Sequence, residues 1–165
     1  MDAHSRYRRL PEREDHYCFG CSPINPSGLR MKFYTDEEVV FSWIRVPEHF
    51  CGWDSLIHGG ILSTMLDEIM SWTAIHLLRK FTMTKSITVD FLRPVHVEKD
   101  LELRGRVHQI KSEREVLIEG FLYDEMGRLC TKATGTFALF TREVAMRMGI
   151  MDAAMAEQVE RIITG

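Results

Sequence analysis

Asp67 is the residue whose position most needs explaining. It falls inside Ile61 to Leu78, a run without Gly or Pro that is long enough for about five helical turns. On a 3.6-residue wheel the run is apolar over most of its circumference, through Ile61, Leu62, Met65, Leu66, Ile69, Met70, Trp72, Ile75 and Leu77. A helix apolar nearly all round is a buried helix. A carboxyl group carried into such a helix loses hydration, which disfavours its charged form and raises its pKa toward the range of a general base or nucleophile. The narrow strip Ser63, Asp67, Ser71 and Ala74 permits a second reading, in which Asp67 sits on the one solvent-facing stripe.

His58-Gly59-Gly60 stands directly before this run. Glycines there let a ligand approach the backbone closely, and the first N–H groups of a helix have no intrahelical acceptor. Those donors lie at the positive end of the helix dipole, where they can polarise a carbonyl and stabilise an oxyanion. Two glycines alone are as well explained by a plain turn. Their place about two turns ahead of a buried aspartate is what gives them weight. Glu68 is a rival carboxylate, falling on the wheel among Ile61, Trp72 and Ile75, where it pairs with a cation or joins the site.

Cys18 and Cys21 form a C-x-x-C pair, with His16 close by and His49 and Cys51 in a later loop. Zinc sites use such spacings, but a second tight pair normally accompanies the first, and His49-x-Cys51 is a loose substitute. A structural or pocket-lining role is therefore preferred to a metal, and redox chemistry is disfavoured because no βαβ context surrounds the pair. Arg93, Lys99, Arg104 and Arg106 are candidate contacts for a phosphorylated ligand, against the plainer reading of a solvated strand face.

The elements that must position these residues are legible as periodicities. Residues 1–28 carry Pro11, Pro23, Asn25-Pro26 and Ser27-Gly28 and read as an irregular segment draped over the domain. Period-two alternation from Leu29 to Val46, with a turn at Asp36-Glu37, predicts a hairpin in which Val39, Phe41 and Trp43 share a face. After the long helix, four more strands are predicted, over Thr84 to Leu92, Leu101 to Ile110, Glu115 to Tyr123 and Arg128 to Thr141. In the first, Lys85, Ile87, Val89 and Phe91 alternate with Thr84, Ser86, Thr88 and Asp90. The alternation argues an antiparallel meander, α+β in class, with edge strands that a dimer can pair. Residues 143–165 read as an amphipathic C-terminal helix, with Gly149 a candidate break.

The bulk numbers exclude several classes. A chain of 165 residues with 45% hydrophobic and 27% charged residues fits one soluble domain, here taken as residues 29–142 with its two flanking segments. A net charge of -3 leaves no polyanion-binding footprint, so nucleic acid is not an expected partner. The polar start lacks an apolar core, no span is long enough to cross a bilayer, and four scattered cysteines suit a reducing compartment. A cytoplasmic protein with no membrane contact is expected.

Several ordered motifs resemble one family. The run His58-Gly59-Gly60-Ile61-Leu62-Ser63-Thr64-Met65-Leu66-Asp67-Glu68 looks like the signature of hotdog-fold thioesterases of the phenylacetate-pathway and THEM type, whose helix carboxylate follows nine residues after the His. Val89-Asp90-Phe91-Leu92-Arg93-Pro94-Val95 is similar to that family's strand and R-P-V turn, Asp124-Glu125-Met126-Gly127-Arg128 to its D-x-x-G hairpin, and Ala133-Thr134-Gly135-Thr136-Phe137 to its last strand. Cys18-Phe19-Gly20-Cys21 through Asn25-Pro26-Ser27-Gly28-Leu29 resembles the leader of one subgroup.

The resemblance implies an antiparallel sheet wrapped around one long buried helix, in a homodimer or dimer of dimers with sites at the subunit interface. It implies hydrolysis of an acyl-CoA thioester, with no metal and no cofactor beyond the coenzyme A of the substrate. In that scheme Gly60, with Gly59, offers backbone amides to the thioester oxygen, and Asp67 of the partner subunit activates water or attacks. Thr84 helps hold the water, His58 orients the loop or meets the thioester, and Glu68 and Arg93 are further substrate contacts. Some relatives carry an Asn six residues before the His, where this chain has Gly52. Two other expectations stand beside this one: a non-catalytic acyl-CoA or lipid-like ligand-binding hotdog protein, and a hotdog hydratase, whose Asp/His pair is placed differently.

Overall fold

The computed structural model describes residues 6–164. Its elements run β1 (Arg8–Arg9), β2 (Tyr34–Thr35), β3 (Val40–Arg45), α1 (Gly59–Leu78), β4 (Phe81–Phe91), β5 (Asp100–Ser112), β6 (Glu115–Tyr123), β7 (Leu129–Phe140), α2 (Arg142–Arg147) and α3 (Ala153–Thr164). All strand pairs are antiparallel, in one seven-stranded sheet ordered β1-β2-β3-β5-β6-β7-β4. The class is α+β, a hotdog in which the sheet curves around α1.

β5, β6 and β7 are a meander as expected, but β4 is not part of it, since it pairs with β7 at the far edge. α1 is the reason. From β3 to β4 is four strand spacings, roughly 19 Å at about 4.8 Å each. A helix of 20 residues rises about 30 Å, enough to carry the chain across the inner face of the sheet.

The sheet makes room for the helix by omitting side chains. Gly105 of β5 lies opposite Gly120 of β6, directly under α1. A Cβ on Gly105 would sit 2.1 Å from Thr73 Oγ1 and 2.9 Å from the Ile69 carbonyl oxygen. Met65, Leu66, Ile69, Met70 and Ala74 are fully buried, as are Leu103, Val116, Ile118 and Phe137 of the sheet. The other side of α1 is closed by the N-terminal segment, where Leu29, Met31 and Phe33 are buried and Phe33 stacks on Trp72 at 4.7 Å. That two-sided cover explains a helix apolar nearly all round. No helix among the described residues is long and apolar enough to cross a membrane.

Two local expectations change. The N-terminal segment is not wholly irregular, since β1 lies within it and pairs with β2. The predicted hairpin shortens to β2 and β3, because Leu29 to Phe33 bury alternate side chains without a ladder. On β3, Phe41 and Trp43 share a face as expected, stacked on each other and packed against Tyr7 and Tyr34, while Val40 and Ser42 are fully buried on the other. The C-terminal helix divides into α2 and α3, with Gly149 at φ +68° between them.

Candidate active site

α1 starts where an exposed loop hands it the chain. His58 is its N-cap, and the loop before it is tied by Gly52 N–H to Leu56 O at 2.8 Å and His58 N–H to Phe50 O at 3.1 Å. Gly52 packs on this turn so closely that a Cβ there would lie 3.2 Å from His58 Cα. A side chain at position 52, such as the Asn of some relatives, would push the turn away. The His58 imidazole bends back and its Nδ1 accepts the Gly60 N–H at 2.9 Å. One amide expected to face a substrate is thus already capped, by a side chain that is itself exposed. The Gly59 N–H belongs to the same unpaired first turn, and the Phe91 ring of β4 lies alongside, 3.6 Å from a Cβ placed on Gly59.

Asp67 lies two turns further on, facing β4. The Thr84 hydroxyl donates to Asp67 Oδ1 at 2.7 Å. Strict alternation had put Thr84 on the face opposite Ile87, Val89 and Phe91. A bulge at Lys85 changes this: Thr84 pairs with Phe137, while Ser86 pairs with Thr136 and Ile87 with Gly135. Residues paired across a ladder share a face, so Thr84 joins Ile87, Val89 and Phe91 on the side of Phe137, toward α1. The extra residue re-aims the hydroxyl, a common use of bulges beside sites.

Burial raises the Asp67 pKa above the ordinary aspartate value, the Thr84 hydrogen bond opposes that rise, and the Cys18 charge adds to it. Asp67 is half-buried, and β4 beside it has no strand partner other than β7 among the described residues. Phe91, Leu92 and Met83 along this edge are 54%, 46% and 46% exposed. The sequence reading missed this apolar edge and the place of Phe91 at the helix start. An apolar alternation persisting in a strand with one free edge was the available signal.

Glu68 points away from Asp67, toward the N-terminal segment. Its Oε1 is 3.2 Å from Cys18 Sγ, and burial, with the Cys18 charge next, pushes its pKa up to about 8. Cys18 is drawn down to about 5, first by the Cys21 thiol that hydrogen-bonds to it, and Cys21 is correspondingly raised. Arg93 lies just past the end of β4, its Nη1 donating to Leu129 O at 2.5 Å. The structure therefore brings Asp67 and Thr84 together, and His58, Gly59 and Gly60 together, while Glu68 and Arg93 stand apart from both groups.

Residues 55–130 match the family described as the thioesterase superfamily. The matched segment runs from the loop before α1 into the start of β7 of the hotdog described above. A comparison with curated protein sequences found no match. Among solved structures, a thioesterase superfamily protein superposes with a TM-score of 0.67 at 20% identity, over 74% of this chain and 60% of the other. The PaaI protein of the E. coli phenylacetic acid degradation operon gives 0.60 at 17%, over 68% and 81%. A hypothetical thioesterase from Streptococcus pneumoniae TIGR4, solved with coenzyme A, gives 0.58 at 22%, over 63% and 80%. These likenesses are to the fold.

Proposed function

We propose that the protein hydrolyses an acyl-CoA thioester to a free acid and CoA, in composite sites built by two copies of the chain. The observation that carries this is the Asp67 carboxyl, desolvated and held by the Thr84 hydroxyl, on the same helix whose first turn presents Gly59 and Gly60.

The geometry asks for a second chain. Asp67 follows Gly60 by seven residues, about 10 Å along the axis at 1.5 Å each. An attacking oxygen and an oxyanion donor must both lie roughly 3 Å from one carbonyl. One helix cannot supply both to one thioester. Two copies paired antiparallel through their β4 edges bring the Asp67 of each toward the helix start of the other, and cover Met83, Phe91 and Leu92. A dimer of dimers is compatible with the same pairing.

In this scheme the thioester oxygen takes the place of the His58 imidazole at the Gly60 N–H, with the Gly59 N–H beside it. Asp67 removes a proton from water, the water oxygen bonds to the carbonyl carbon, and the C–S bond breaks to release the CoA thiolate, which takes up a proton. Asp67 could instead attack the carbonyl itself, forming an anhydride that water opens. Label appearing in Asp67 after single turnover in heavy-oxygen water identifies the anhydride route, with water opening the anhydride at the Asp67 carboxyl carbon. Glu68 is left out of the substrate contacts because its carboxyl faces Cys18. The S. pneumoniae protein was solved with coenzyme A, which supports CoA as the carrier.

The test is release of free thiol from straight-chain and aryl acyl-CoAs by the wild type and by Asp67→Ala. The reading expects turnover that Asp67→Ala abolishes while the oligomer stays intact. Full activity in Asp67→Ala would remove the assigned base. Thermal stabilisation by acyl-CoA without any turnover would make the chain a binding protein.

A further inference from the structure

The N-terminal segment carries a cluster that the proposed reaction does not use. Between Cys18 and Cys21 the chain folds back, with the Ser22 N–H donating to Cys18 O at 3.1 Å. His16 brings its imidazole to the same place, so that ligand atoms of His16, Cys18 and Cys21 all lie within 4.8 Å of one another. A fourth donor arrives from α1, since Glu68 Oε1 is 3.2 Å from the Cys18 sulfur.

We propose that His16, Cys18, Cys21 and Glu68 form a structural zinc site that clamps the N-terminal segment to the central helix. Tetrahedral zinc, with bonds of about 2.0–2.3 Å, sets its ligand atoms roughly 3.3–3.8 Å apart. His16, Cys18 and Cys21 need adjustments of about an ångström or less to reach that spacing, and Glu68 Oε1 is already that close to the Cys18 sulfur. The set of two sulfurs, one nitrogen and one carboxylate oxygen suits zinc.

A disulfide between Cys18 and Cys21 would account for the two sulfurs and leave the approach of the buried Glu68 carboxyl unexplained. The sequence had offered His49 and Cys51 as the missing pair, but neither belongs to the cluster. The missing ligands are a residue just upstream and one from the helix, a combination that no spacing rule connects.

The segment is already seated for this role. The Leu29 N–H donates to Phe19 O at 2.8 Å and the Met31 N–H to Gly20 O at 2.9 Å. Gly20 lies so tightly on Glu68 that a Cβ there would come within 2.1 Å of Glu68 Cγ, so the turn and the carboxylate are in direct contact. Zinc here would hold α1 one residue away from Asp67 without touching a substrate.

The proposal does not depend on the thioesterase reading, and its readout is metal content. The full chain, purified with a reductant, is incubated with zinc, exchanged into metal-free buffer and analysed by plasma mass spectrometry. About one zinc per chain is expected. Cys18→Ser/Cys21→Ser should abolish it, His49→Ala/Cys51→Ser should leave it unchanged, and removal of zinc by a chelator should lower the Tm of the wild type. Glu68→Gln should weaken zinc in competition with a chromophoric chelator by at least the roughly 10–100-fold that loss of an outer-shell partner costs. Cobalt titration of the wild type should give a thiolate-to-cobalt charge-transfer band, a readout independent of whether the serine variant folds. A wild type that binds neither metal, zinc retained in the double serine variant, or a Cys18–Cys21 disulfide in the reduced preparation would each overturn the site.

Discussion

A composite site can be tested by mixing two dead proteins. Asp67→Asn removes the base and leaves the helix start intact. Gly60→Pro removes one amide and leaves Asp67 intact, at a first-turn position where no intrahelical hydrogen bond is lost. Loss of a general base costs about 10²–10⁴-fold and loss of one oxyanion donor about 10²–10³-fold in kcat. Each homodimer should therefore be nearly inert.

In a heterodimer, one site combines the Asp67 of the Gly60→Pro chain with the intact helix start of the Asp67→Asn chain, and both its halves are wild type. The other site carries both lesions. Random reassortment makes half the dimers hetero, and half of their sites are whole, so about a quarter of wild-type activity should return. The assay is thiol release after the two variants are unfolded together, refolded and shown to have exchanged by native mass spectrometry with one partner tagged. The roughly 10 Å between Gly60 and Asp67 along α1 is the reason each site is expected to be composite. Exchanged heterodimers with no more activity than the parents would refute the reasoning, because each site would then be completed within one chain.

Thr84→Val should lower kcat and shift the acid limb of the pH profile upward. Asp67 works ionised, its pKa is raised by burial, and the Thr84 hydrogen bond is what restrains that rise. An unmoved limb would separate Thr84 from the base. Gly105→Ala should destabilise the fold by about 1–3 kcal/mol in urea unfolding, since its Cβ meets Thr73 Oγ1 and the Ile69 carbonyl oxygen. No loss would mean that α1 can lift off the sheet. His76 is 3% exposed, and burial, with Arg79 next, holds its pKa below the ordinary histidine value. Its contribution to stability is complete above an unfolded pKa of about 6.5 and is lost as pH falls through the lower folded value. His76→Gln should flatten thermal stability over that range, and an unchanged pH dependence would exclude His76 as its source.

The helix and most of the strands were legible because their periodicities are carried by side chains buried on known faces. The resemblance implied a hydroxyl at Thr84 but could not show how it reaches Asp67. Alternation put it on the wrong face, and a single bulged residue, Lys85, reverses the parity of everything beyond it. Parity is a global property of a strand, and a local insertion leaves no trace in the residue types. The place of β4 beyond β7 was hidden for another reason. Strand order depends on where α1 delivers the chain, and a helix pattern reports which residues are buried, with no information on which strands lie beneath them. His58 shows a third limit, since its cap on Gly60 is a rotamer choice that no motif encodes.

The adjacent carboxylates Asp67 and Glu68 show what fixes the site in place. Consecutive helical residues point about 100° apart, so α1 directs one to β4 and the other to the N-terminal segment. Each is made less acidic by burial, so the helix carries two desolvation costs within half a turn. A small rotation about its axis would draw both away from Thr84 and Cys18 together. The contact of Thr73 and Ile69 with Gly105 sets the rotation from below, and Glu68 on Gly20 sets it from above. The prediction that follows concerns coupling: if Glu68 helps hold the orientation of α1, Glu68→Gln should disturb the Asp67–Thr84 pair although its side chain hydrogen-bonds to neither. The acid limb of the activity profile would then shift in Glu68→Gln, and the shift should vanish when Thr84 is already Val. Independent effects of the two substitutions would leave the rotation of α1 to its sheet contacts alone.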